Sequence, residues 1–73
     1  MREQFEGYAL EARCARRPDG RYAVGVTIER EIDGKPLRHL FEDPTVSFVL
    51  QVEAELEAMS LGRKLVRRGG AGF

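Results

Sequence analysis

The fold is decided by residues 8–29, which read YALEARCARRPDGRYAVGVTIE. Apolar side chains occupy the even positions on both sides of a central Pro18-Asp19-Gly20 segment. An apolar period of two is typical of strands with one buried face, and Pro, Asp and Gly each favour a turn. The stretch therefore predicts an antiparallel hairpin whose even residues face the core.

The even-numbered apolar residues of both strands must lie on the same face of the hairpin, and this parity fixes the length of the turn. A two-residue turn at Asp19-Gly20 would oppose even with odd positions and place one apolar set on the wrong face. A three-residue loop over residues 18–20, with Gly20 in the left-handed conformation, keeps the parity. This register opposes three pairs: Leu10 with Ile28, Ala12 with Val26, and Cys14 with Val24.

A second hairpin is predicted at Asp33-Gly34, a pair that favours the type I′ turn. With that turn His39 lies opposite Ile28, and three more residues join the inward face: Leu37, His39 and Phe41. We therefore expect strands at about residues 6–16, 21–31 and 36–42, forming a three-stranded antiparallel meander.

Past Asp43-Pro44 the chain is predicted to be mainly one helix. Five apolar residues fall within an arc of about 80° that suits the inward face of the sheet: Leu50, Ala54, Ala58, Leu61 and Leu65. Gly69-Gly70 ends this helix, and residues 69–73 are predicted to be a mobile tail. Residues 45–52 also alternate like a strand, so a short fourth strand at the edge of the sheet stays possible. The prediction is one α+β domain over residues 1–73, with the helix packed on one face.

Composition narrows the function classes. The chain has 73 residues and 8.3 kDa, and its 12 basic and 12 acidic residues give a net charge of zero. No global field therefore draws it to nucleic acid or to a membrane surface, and no apolar run approaches the ~18 residues of a membrane span. The first five residues carry no signal-peptide pattern, and the single cysteine cannot form an internal disulfide. We expect a cytoplasmic protein without a membrane contact.

Few residues suit catalysis or metal binding. The chain has one histidine, His39, one cysteine, Cys14, and two serines, Ser47 and Ser60. His39 is expected on the inward face without a carboxylate to orient its ring, and Cys14 is expected to be a buried, inert thiol. A zinc site needs about four ligands at short spacing. The sequence therefore predicts no enzyme, no metal and no cofactor.

Eight basic residues could contact phosphates in an alternative, nucleic-acid-binding function. They lie around the tip of the first hairpin and at the end of the helix: Arg13, Arg16, Arg17, Arg21, Arg63, Lys64, Arg67 and Arg68. A single-strand binder would also present aromatic rings on the open sheet face. The aromatic residues Tyr8, Tyr22 and Phe41 are instead expected beneath the helix, so nucleic-acid binding is not the favoured function.

A second apolar arc lies on the helix, away from the first: Val52, Leu56, Met59 and Val66. A three-stranded sheet cannot cover both arcs, and four exposed aliphatic side chains would form an apolar patch. A chain below roughly 70 to 80 residues also has little core of its own. We therefore expect a non-enzymatic interaction domain that forms a homodimer through this arc, with Leu56 and Met59 near its centre and Phe48 or Val49 at its edge. A further protein partner is expected, of unknown identity.

Four short motifs occur along the chain: Gly7-Tyr8, Pro18-Asp19-Gly20-Arg21-Tyr22, Glu53-Ala54 and Gly62-Arg63-Lys64-Leu65-Val66. In this order they resemble a group of small bacterial proteins of unknown function with a βββα layout. The layout is also similar to the N-terminal half of HicB-type antitoxins and, more loosely, to whirly-type single-strand DNA-binding coactivators. The antitoxin resemblance implies a regulatory domain, although the chain lacks the proline-rich stretch that HicB-like domains show after the second strand. The shared motifs mark turns and helix positions, so they carry over no site residues.

Overall fold

The chain folds into a four-stranded antiparallel sheet with one helix on one face. The computed structural model describes residues 1–69. Its elements are β1 (Arg2–Phe5), β2 (Tyr8–Ala12), β3 (Tyr22–Ile32), β4 (Lys35–Phe48) and α1 (Gln51–Arg67). The strand order in the sheet is β1-β2-β3-β4. This is the predicted α+β architecture. The predicted mobile tail, from residue 70 onward, lies outside the described residues.

The first hairpin has the predicted register. Leu10 pairs with Ile28, and Ala12 pairs with Val26. At the turn, Gly20 has a φ of 85°, which is the left-handed conformation that the three-residue loop requires. Parity and turn chemistry together were therefore sufficient to align β2 with β3.

The second hairpin also follows the prediction. Asp33 has a φ of 52° and Gly34 a φ of 77°, the two positive values of a type I′ turn. His39 consequently lies opposite Ile28, as expected.

β4 is longer than predicted, because residues 43–48 are strand and not helix. The register shifts within this strand: Val24 pairs with Asp43, whereas Ala23 pairs with Ser47. The three residues between these positions form a bulge that contains Pro44, which therefore removes no ladder hydrogen bond. Residues 45–48 of the ambiguous segment 45–52 therefore belong to β4, and α1 begins only at Gln51.

The sequence left a short fourth strand possible, in residues 45–52; the sheet does have a fourth strand, but it is β1, at the N-terminal edge. β1 pairs antiparallel with β2, so that Glu3 lies opposite Leu10. The connecting turn has positive φ at both Glu6 (50°) and Gly7 (84°). β1 widens the sheet by one strand beneath α1.

The core lies between α1 and the strands β2 and β3. Seven apolar residues are fully buried there: Leu10, Val24, Val26, Ile28, Ala54, Ala58 and Met59. Half-buried residues pack around them, including the predicted Tyr8, Tyr22, Phe41, Leu61 and Leu65. The helix approaches the sheet closely at Gly62, where a Cβ atom would lie 3.2 Å from the side chains of both Leu10 and Val26.

Two positions on α1 differ from the prediction. Met59, assigned to the exposed arc, is only 2% exposed, and Val66 packs against the core. Both pack against a core to which β1 adds Phe5, a side chain that the predicted three-stranded sheet did not include. Leu50 was assigned to the buried stripe, but it precedes the helix and is 56% exposed.

Candidate interaction surfaces

α1 is held toward the β1 side of the sheet by three polar and aromatic contacts. Arg63 donates to a carboxylate oxygen of Glu3 at 2.7 Å, and the guanidinium of Arg67 lies 5.1 Å from the ring centre of Phe5. The N-terminal amino group lies 3.5 Å from the Glu55 carboxylate. The helix packs mainly on β3 and β2 and leaves much of the inner face of β4 open, since Leu37 and His39 are exposed.

The open inner face of β4 carries Leu37, His39 and Phe41. Their inward orientation was predicted, but the expected cover is missing: Leu37 is 41% exposed, His39 is exposed and Phe41 is half-buried. The rings of His39 and Phe41 lie 6.1 Å apart and are tilted by 32°. These side chains form an accessible aromatic and aliphatic strip beside the helix.

The outer face of β4 carries Arg38, Leu40 and Glu42. Arg38 forms a cross-strand ion pair with Glu29, whose carboxylate lies 3.3 Å away. Leu40 is 54% exposed. Arg13 lies beyond Gly25 from Glu42, but its guanidinium binds Glu11 instead. Within residues 1–69, Glu42 makes no ion pair.

A second apolar surface lies at the start of α1. Val49, Val52 and Leu56 are spaced by three and four residues, and each is more than half exposed; we call them the helix-start stripe. Two of the four predicted dimer-contact residues, Val52 and Leu56, belong to it. At about 100° per residue, Leu56 shares a side of the helix with Arg63. Since Arg63 reaches β1, the stripe faces away from β4.

The structure does not bring the predicted phosphate-binding residues together. Arg21 binds Ser47 at 2.7 Å, next to the strand that leads into α1, whereas Arg67 lies at the far end of this 17-residue helix. A helix of that length spans about 25 Å. The eight basic residues therefore form two groups at opposite ends of the molecule.

Several of these cations already contact an acidic or aromatic group of the same chain. Arg17 lies 3.3 Å from Asp19, and Arg13 pairs with Glu11. At the helix end, Arg63 and Arg67 hold β1 as described. Three exposed cations remain for an external phosphate: Arg16, Lys64 and Arg68.

The candidate reactive groups are dispersed. Cys14 is half-buried, packs against the core and places its sulfur 3.9 Å from the Gly25 carbonyl oxygen. Hydrogen bonds from the hydroxyl and N–H of Thr45 lower the pKa of Asp43. Over residues 1–69, no cluster of three or more His, Cys, Asp or Glu side chains is arranged to bind a metal. In the same residues, no helix is long and apolar enough to cross a membrane.

Comparison with known protein families, with curated proteins and with solved structures found no match. The resemblance to βββα proteins therefore stays a prediction. The exposed apolar surfaces on β4 and on α1 remain the features that point to a function.

Proposed function

We propose that this chain is a non-enzymatic interaction domain that acts as a homodimer in the cytoplasm. One observation carries the proposal. Within residues 1–69, only five large apolar side chains are fully buried, whereas eight are at least 36% exposed: Met1, Leu37, Leu40, Val46, Val49, Leu50, Val52 and Leu56. Burying an aliphatic side chain contributes about 1.5 to 3 kcal/mol, so association with another chain would stabilise the fold substantially.

Several of these exposed side chains lie on two separate surfaces. One is β4, with Leu37 and Leu40 on its two faces. The other is the helix-start stripe, on the side of α1 that faces away from β4. Two such surfaces support two contacts, one with a second copy and one with a different protein. The lone free thiol, Cys14, suits a reducing compartment.

Sedimentation equilibrium tests the homodimer directly. We expect the wild-type chain to reach twice its monomer mass of 8.3 kDa, with a mass that rises with concentration, as a reversible equilibrium requires. A chain that stays at the monomer mass into the high micromolar range would contradict the proposal.

Adding labelled single-stranded DNA to the same experiment tests the alternative, nucleic-acid-binding function. We expect no co-sedimentation with the protein, because the basic residues are divided between two ends of the molecule. Binding that weakens steeply with added salt would favour the nucleic-acid-binding function instead.

A further inference from the structure

We propose that two copies join along the free edge of β4, antiparallel, in the one register that places Arg38 of each copy opposite Glu42 of the other. This inference rests on the homodimer proposed above and names its interface. The result would be a continuous eight-stranded sheet, related by a two-fold axis at Leu40.

The hydrogen-bonding direction of the backbone supports this register. The N–H of Arg13 donates to the Gly25 carbonyl, and the N–H of Ala23 donates to the Ala15 carbonyl, so odd residues of β3 bond to β2. Backbone groups alternate sides along a strand, so even residues of β3 bond to β4. Their partners on β4 are odd, as His39 opposite Ile28 shows. The even residues of β4 therefore direct their N–H and C=O groups to the free edge.

Prolines limit the part of this edge that can pair. A proline has no N–H to donate to a neighbouring strand. Pro36 and Pro44 are even residues, so each interrupts the row of edge donors, and the bulge begins at Pro44. The segment between them has Leu40 at its midpoint. Two copies paired about Leu40 place proline opposite proline at both ends and lose no donor within the segment.

The charges on the outer face have the same midpoint. Arg38 and Glu42 lie two residues on either side of Leu40, so a two-fold axis at Leu40 opposes each arginine to a glutamate. Opposite charges directly across a strand pair stabilise it, and like charges destabilise it. Glu42, which makes no ion pair within residues 1–69, gains a partner, and Leu40 is covered by its own copy.

Other registers lose this complementarity. A slip that sets Arg38 opposite Leu40 leaves both charges without a partner across the strand pair. A larger slip places Arg38 of one copy opposite Arg38 of the other, and a slip in the other direction does the same for Glu42. Both arrangements oppose like charges and destabilise the strand pair. The outer face therefore selects the register centred on Leu40.

Charge reversal tests the register. Glu42→Arg alone and Arg38→Glu alone each turn two attractive pairs into two repulsive pairs, and we expect the dimer dissociation constant to rise at least about tenfold. An equimolar mixture of these two variants should restore dimers, because every pair in the mixed dimer is again opposite in charge. Recovery upon mixing reports on the interface alone, since a folding defect in either variant would not be repaired by the other.

Cross-linking locates the two-fold axis. In a Cys14→Ala background, Leu40→Cys should form a disulfide-linked dimer under mild oxidation, since Cα atoms across a hydrogen-bonded pair lie about 5.5 Å apart. Leu56→Cys is the matched control, because Leu56 is 58% exposed and Leu40 is 54% exposed. We expect little cross-linking at position 56.

The outcomes separate this inference from the proposed function. A dimer that cross-links at position 56 and not at 40, or that is insensitive to both charge reversals, would overturn the β4 interface and leave the homodimer in place. Wild-type monomers would overturn both. Cross-linking at position 40 together with recovery on mixing would establish the interface.

Discussion

The carbonyl oxygen of Arg13 lies only 2.6 Å from the position that a Cβ atom on Gly25 would occupy. The Arg13 N–H also donates to the Gly25 carbonyl at 2.8 Å, so the two backbones meet at this point. Glycine in the middle of a strand commonly marks a close backbone approach. Here the obstructing atom belongs to the main chain, and only a shift of the neighbouring strand could relieve it.

We therefore expect Gly25→Ala to lower the free energy of unfolding by about 1 to 3 kcal/mol, measured by urea denaturation. The comparison is Ala23→Gly on the same strand face, which should cost only about 0.5 to 1 kcal/mol through backbone entropy. Strand propensity alone would make Gly25→Ala stabilising, so an increase in stability would refute the close approach.

The turn between β1 and β2 offers a stabilising substitution. Glu6 has a φ of 50°, a left-handed conformation that Asn adopts far more readily than Glu. We expect Glu6→Asn to raise the free energy of unfolding by about 0.5 kcal/mol. Glu6→Ala, which removes the same side chain without the left-handed preference, should give no such gain. Equal effects of the two changes would argue against this turn geometry.

The contact between α1 and the sheet can be tested at Ala58. This residue is fully buried, so Ala58→Leu should overpack the interface and cost about 1 to 3 kcal/mol. Glu57→Leu, one position along and exposed, is the matched control and should leave the melting temperature nearly unchanged. An unchanged melting temperature for Ala58→Leu would mean that the helix docks through a different face.

The bulge in β4 predicts a pH effect. Thr45 donates hydrogen bonds from its hydroxyl and its N–H to the Asp43 carboxylate, and these bonds hold the Asp43 pKa below its usual range. A lowered pKa adds stability above the pKa of the unfolded chain, and this stability is lost as pH falls through the folded value. Thr45→Val should therefore destabilise the chain at neutral pH, with a difference that disappears in acid.

NMR titration of the Asp43 carboxyl carbon provides the direct measurement. Thr45→Val should raise its midpoint, whereas Thr45→Ser should keep it low. If the midpoint were the same in all three chains, the hydroxyl of Thr45 would not be the cause of the shift.

Both long hairpins could be derived from sequence, because each register depends on a local rule. Val26 and Ile28 must face the core together, and Asp33-Gly34 permits only one short turn geometry. β1 obeys no such rule: residues 2–5 read REQF, with a single apolar side chain. The only available signal was Gly7 after Glu6, and Glu-Gly is a weak type I′ pair.

The error at Met59 follows from the same omission. The predicted three-stranded sheet lacked Phe5 of β1, which packs against the core that contains Met59. The edge position of β4 follows directly from the meander, but its exposure does not, since it depends on where α1 docks on the sheet, which contacts such as that of Arg63 with Glu3 help to set. Those contacts join residues about sixty positions apart in sequence, and no local pattern encodes them.

The strand order also determines how the chain can fold. Each strand pairs with its neighbour in sequence, so the sheet can assemble one hairpin at a time, each closing a short loop at a small entropic cost. Contacts that are local in sequence are associated with fast folding. The β1–β2 and β3–β4 hairpins both close two-residue loops, and β3–β4 does so over the longest pairing, so we expect it to form first. Docking of α1 onto β2 and β1 closes the longest loop, so we expect this step to follow hairpin formation.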